Sequence, residues 1–135
     1  MKRLISCIAI VAATALNAAS SDLLKEGLRQ ANAGQTDQAL ATLRQAASAD
    51  KGDAAAQTAL GLVALQRQQY AEAQAALERA LSLDPRSETA LFALGLLFEK
   101  QRQPGAARSA WQRLAALTQS SDLREMAQRH LERLE

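Results

Sequence analysis

His130 is the only histidine in the chain and Cys7 the only cysteine, so side-chain chemistry has few places to start. A general base needs a nucleophile or an orienting carboxylate within hydrogen-bond reach, and no serine, cysteine or carboxylate constellation recurs around His130 by spacing. His130 lies near the apolar stripe of a helical pattern, which predicts a packing or boundary residue. No His-x3-His, Glu-x2-His or cysteine pair offers metal-ligand spacing. Neither a P-loop nor a Gly-x-Gly-x2-Gly stretch is present. The sequence therefore predicts no catalysis, no cofactor and no metal site.

Cys7 belongs to a segment of different character. Lys2 and Arg3 precede an apolar run, Leu4 to Leu16, and small residues follow at Ala18, Ala19 and Ser20. That three-part pattern predicts a secretory signal peptide over residues 1–19. Thirteen helical residues span ~20 Å against ~30 Å of hydrocarbon, short for a transmembrane helix. Leu4-Ile5-Ser6-Cys7 resembles a bacterial lipoprotein box, but Cys7 lies inside the apolar run instead of after it and reads as a core residue of the leader. The expected location is periplasmic or secreted in a bacterium, with no membrane span once the leader is cleaved. The rest of the chain has no cysteine and can form no disulfide.

The leader also accounts for the charge. The chain has 16 Lys+Arg against 14 Asp+Glu. Lys2 and Arg3 are the whole excess, so the remainder is near neutral and gives no reason to expect a nucleic-acid partner.

The elements that must position any surface are helical. Of the 135 residues, 48% are hydrophobic, yet only Tyr70, Phe92, Phe98 and Trp111 are aromatic. Alanine and leucine dominate, which suits helices that approach closely. β-Branched residues and hairpin turn signals are scarce after residue 20.

A 34-residue interval runs through the helices. Ala59-Leu60-Gly61-Leu62 returns as Ala93-Leu94-Gly95-Leu96, and Gly27 extends the glycine series backwards. Ala39, Ala73 and Ala107 keep the same phase, as do Leu43, Leu77 and Trp111, and Ala46, Ala80 and Leu114. Glycine inside a helix costs ~1 kcal/mol relative to alanine, so three in phase predict close helix crossings. Leu77 and Trp111 are expected to fill the layer between successive hairpins. Gly34 and Gln68-Gln69 fall at hairpin turns, Pro104 suits the first turn of a helix, and Ser87 offers a cap. Leu123, Met126, Ala127, Leu131 and Leu134 recur at helical spacing behind an expected Asp122–Glu125 capping box, which predicts a polar-backed capping helix over 122–135.

These columns resemble the tetratricopeptide repeat family, whose unit is a 34-residue helix-turn-helix. The second unit, 54–87, matches best, with Leu60-Gly61, Tyr70, Ala73, Leu77, Ala80 and Asp84-Pro85. The third, 88–121, lacks the closing proline, and the first, 20–53, has Glu26 where leucine belongs, as befits an end unit. The resemblance implies an all-α fold, a short right-handed α-solenoid of three units plus the capping helix, and a protein-interaction module with a protein partner. It implies a convex face that carries Glu72, Glu78, Arg79, Arg108 and Arg113. It also implies a concave groove lined by first helices at Leu24, Leu28 and Ala31, at Thr58, Leu62 and Leu65, and at Phe92, Leu96 and Glu99. Family members that grip the acidic tail of heat-shock chaperones use a clamp of Lys, Asn and Arg. Leu24, Leu28, Ala59, Thr89 and Ala93 stand in those places, so an apolar or amphipathic segment is the expected occupant, within an adaptor or assembly factor of an envelope complex. A self-associating structural subunit, a homo-oligomer, is the alternative.

Overall fold

The computed structural model describes residues 19–135; the expected leader, apart from Ala19, and Cys7 lie outside the described residues. Seven helices follow one another among the described residues: α1 over 19–32, α2 Thr36–Ala49, α3 Ala54–Gln66, α4 Tyr70–Leu83, α5 Glu88–Lys100, α6 Pro104–Leu117 and α7 Ser121–Arg133. The described residues contain no strand. Helix starts repeat in step, from α2 to α4 to α6 and from α3 to α5, at the 34-residue interval of the sequence. Each helix packs on its chain neighbour from α2 to α7, and α3 also packs on α5. The result is an all-α solenoid.

Two kinds of turn alternate, each with its own local chemistry. Within hairpins the helix ends on a left-handed residue, Gly34 (φ 77°), Gln68 (φ 60°) or Arg102 (φ 57°). The next amide then reaches back five residues, from Gln35 to Gln30 O, Gln69 to Ala64 O and Gln103 to Phe98 O, at 2.8–2.9 Å. This is a Schellman closure, which satisfies carbonyls the helix end would leave free. Between hairpins a side chain makes the turn. Asp50 Oδ1 accepts from Gly52 N–H, Asp84 Oδ1 from Arg86 N–H and Thr118 Oγ1 from Ser120 N–H, at 2.9, 3.1 and 3.1 Å. The following odd-numbered helix is then capped by Asp53, Ser87 or Ser120. The expected Asp122 cap is thereby corrected: the Thr118 turn delivers Ser120 to the cap, where its hydroxyl accepts from Leu123 N–H at 3.3 Å.

The columns in phase are the core. Ala39, Ala73, Ala107, Leu43, Leu77, Trp111, Ala46, Ala80 and Leu114 are all fully buried. A methyl group placed on Gly27 would stand 2.5 Å from Leu43, on Gly61 2.5 Å from Leu77 Cγ, and on Gly95 2.5 Å from the Trp111 ring. Each glycine is thus the seat of the large residue of its own hairpin. This refines the sequence expectation, since Leu77 and Trp111 lie across the hairpin instead of only between hairpins. The two clusters of the core, one centred on α2–α5 and one on Trp111, Leu91 and Ala127, are bridged by Leu81, Leu96 and Phe98.

Candidate functional site: an apolar strip along the odd-numbered helices

Four large apolar side chains are exposed among the described residues: Leu28, Leu62, Leu83 and Met126. Three of them line two adjoining depressions. The first, about 470 Å³, is formed by Leu24 and Leu28 of α1, Thr58, Ala59 and Leu62 of α3, Asp84 at the end of α4, and Ser87 and Thr89 at the start of α5. The second, about 220 Å³, is formed by Glu88, Thr89 and Phe92 of α5 with Leu123 and Met126 of α7. Thr89 belongs to both, so the strip runs from α1 to α7.

The expected groove residues divide by register. Leu24, Leu28, Thr58, Leu62 and Phe92 line the strip. Thr58 donates its hydroxyl to Ala54 O at 2.8 Å, so that hydroxyl is already satisfied within its helix. Leu96 is half-buried and bridges the two core clusters. The position four after each glycine is different. Leu65 is buried, 8% exposed, in the first cluster, and Ala31 packs against the same cluster. Glu99 points to His130. These three residues lie against neighbouring helices and line neither depression. Leu123 and Met126 are residues the sequence reading assigned only to the stripe of a capping helix. That stripe is split: Ala127 enters the core with Leu131 and Leu134 half-buried against it, while Leu123 and Met126 flank the groove.

His130 is a packing residue with a polar anchor. Its ring stacks on Trp111, centroids 4.1 Å apart and planes 17° apart. Nδ1 lies 2.8 Å from Glu99 Oε2; because a carboxylate only accepts, Nδ1 carries the hydrogen and donates it. The Arg133 guanidinium lies beside the same ring, 2.6 Å from Nδ1 and 3.2 Å from Nε2. Phe92 meets Trp111 edge-on, centroids 5.5 Å apart, so the floor of the second depression is tied to the same aromatic stack. Arg108 of α6 donates to Leu134 O at 2.8 Å and Arg124 of α7 to Thr118 O at 2.7 Å, which fix the end of the solenoid.

A larger depression, about 590 Å³, lies between α2 and α4. It is a crease whose polar groups satisfy one another. Arg44 forks onto Glu72 at 2.6 and 2.7 Å, and Arg79 Nε reaches Lys51 O at 3.3 Å. It offers little unsatisfied chemistry, whereas the strip leaves apolar area open to water. Among the described residues no three of His, Cys, Asp and Glu come together as metal ligands would, and no helix is long and apolar enough to cross a membrane.

A tetratricopeptide repeat model matches residues 24–73 and 58–122. No curated protein matches the chain significantly in sequence. Solved structures are similar at low identity. The first tetratricopeptide domain of Spaghetti (RPAP3), bound to the HSP90 peptide SRMEEVD, is 16% identical, with a TM-score of 0.79 over 86% of this chain and 90% of that one. The type III secretion chaperone SycD of Yersinia enterocolitica, in complex with a peptide of the translocator YopD, is 16% identical, with a TM-score of 0.79 over 84% and 90%. PcrH of Pseudomonas aeruginosa is 20% identical, with a TM-score of 0.77 over 85% and 90%. Helix-turn-helix units in 34-residue phase, glycine seats under a large partner and the matched family model agree: the chain belongs to the tetratricopeptide repeat family.

Proposed function

We infer that this protein is a non-catalytic interaction module that holds an apolar or amphipathic segment of a protein partner along its concave strip. The observation that carries this is the placement of Leu28, Leu62 and Met126 in adjoining depressions of the odd-numbered helices. Burying a leucine-sized side chain is worth ~1.5 to 3 kcal/mol before ordering costs, so two or three such contacts contribute ~3 to 9 kcal/mol toward holding a partner. Similar folds hold peptides in the SycD and Spaghetti complexes, which supports this use of the fold. The basic and apolar residues 2–16 and the small residues that follow support export by a cleaved leader, hence a bacterial periplasmic or secreted adaptor or assembly factor in an envelope complex.

The test is photo-crosslinking in the native cell from residue 62, with residue 83 on α4 as control. Crosslinks to one protein from 62 and not from 83 are expected. Equal labelling from both positions, or loss of the folded far-UV signal in Leu62→Arg, overturns the reading. N-terminal sequencing of the protein from a periplasmic fraction checks the export; a start at Met1 refutes it.

A further inference from the structure

The charged side chains along the strip have one sign. Asp84 lines the first depression and Glu88 the second, and no lysine, arginine or histidine lines either. Neither carboxylate forms an ion pair among the described residues. Asp84 accepts only the Arg86 amide, at 3.1 Å. Glu88 opens α5, where the helix dipole favours an acid. The dipole does not account for a strip free of cations in a chain whose basic and acidic residues balance after the leader. Thr89 is shared by the two depressions and directly follows Glu88; Asp84 lines the depression of Leu28 and Leu62, and Glu88 that of Phe92 and Met126.

We propose that the strip takes a segment of a separate protein in which apolar side chains flank a lysine or arginine, and that this cation pairs with Asp84 and Glu88. This rests on the groove reading above. The same carboxylates disfavour a second copy of this chain, because strips facing each other across a two-fold axis would enclose four acids in an apolar interface without counter-charge. They also oppose an acidic tail. Residues 2–16 of this chain, basic then apolar, share the chemistry of the proposed occupant, and the experiment separates the two.

The probes are three fluorescein-labelled synthetic helical peptides with one apolar pattern and a central pair of Lys, Gln or Glu. Binding to the full chain is followed by anisotropy at low salt. The Lys peptide is expected to bind about fivefold tighter than the Glu peptide, with Gln between them, and the spread to vanish near 1 M salt, where the screening length is ~3 Å. Asp84→Asn with Glu88→Gln, which keeps the Oδ1 acceptor for Arg86, is expected to close the spread while the Gln peptide binds as before and the thermal melt falls by no more than the few degrees that losing an acid at the start of α5 costs. An equal or reversed order overturns the charge preference and leaves the groove reading standing. No binding by any peptide, or binding that survives Leu62→Arg with Met126→Arg in a folded variant, overturns both. Mass doubling in sedimentation equilibrium that Leu62→Arg abolishes assigns the strip to a second copy. Tighter Lys-peptide binding after Lys2→Glu with Arg3→Glu assigns it to the chain's own N-terminus. Either of these two results overturns the separate partner.

Discussion

At the scale of single residues, three glycines carry the geometry because each is the seat of one large side chain. Gly61→Ala gains helix propensity of ~1 kcal/mol but drives a methyl to 2.5 Å from Leu77 Cγ and 3.4 Å from Ala73 O. Overpacking of this kind costs ~1 to 3 kcal/mol, which cancels or outweighs that gain. Gly61→Ala and Gly95→Ala are therefore expected to lower the melting temperature, Gly95→Ala more, because the Trp111 ring cannot yield as a leucine can. Gly105→Ala, with nothing within 4 Å, is the control and should raise it. Adding Leu77→Ala to Gly61→Ala should cost less than the sum of the two single changes, a coupling that calorimetry would measure. A smaller effect belongs to Glu72. The hydrogen-bonded Arg44 guanidinium holds its carboxyl below the usual value, against a smaller opposing push from burial. A folded value below the unfolded one stabilises above the unfolded value, and that stabilisation is lost as pH falls through the folded one. The pair is partly exposed and so worth only ~0.2 to 1 kcal/mol. Glu72→Gln should lower the melting temperature by a few degrees at neutral pH, and the gap should start to shrink below the ordinary carboxylate value, 4.5.

At the scale of elements, legibility followed residue identity. The columns of Gly27, Ala39, Leu43 and Ala46 were readable because the same types return in phase, and so were Gly34, Pro104 and Ser87 at helix ends. The turn column Asp50, Asp84 and Thr118 was not readable as a column, since a carboxylate and a hydroxyl do the same work under different letters. That is why α7 was expected to start at an Asp122 cap and in fact starts after Ser120. Of the expected groove residues, Leu24, Leu28, Thr58, Leu62 and Phe92 line the strip, while Leu65 and Glu99 lie against neighbouring helices. Periodicity gives a side chain's angle around its helix but not whether the next helix covers that angle. The left-handed turn residues yield a prediction at this scale. Gln68 and Arg102 hold a conformation that disfavours side chains, at exposed sites. Gln68→Gly and Arg102→Gly should each stabilise by ~0.5 to 1 kcal/mol, read in chemical denaturation. Gln35→Gly, one residue past the left-handed site of the first turn and not itself left-handed, should not.

Across the whole molecule, packing runs mainly from each helix to the next, so stability should behave as a chain of neighbouring terms instead of one indivisible unit. The two ends are built differently. At the first, Glu26 stands where later units have Leu60 and Leu94, and it meets Arg29 and Gln30 in water instead of a core. At the second, α7 fully buries only Ala127 and depends on the His130 stack, its hydrogen bond to Glu99 and the Arg108 contact to hold its place. His130→Ala removes a stacking partner of Trp111 and a charge-assisted hydrogen bond, together ~2 to 4 kcal/mol. In a linear array that loss should stay local. Amide exchange is expected to quicken about tenfold or more in α7 and in the part of α6 around Trp111, while α1 and α2 keep their rates. His130→Phe should restore much of the protection, because it keeps the ring over Trp111 and leaves Glu99 with access to water. Uniform acceleration from α1 to α7 would mean that the helices open as one cooperative block. The strip from Leu28 to Met126 would then be a single rigid surface, and its second depression could not loosen independently of its first.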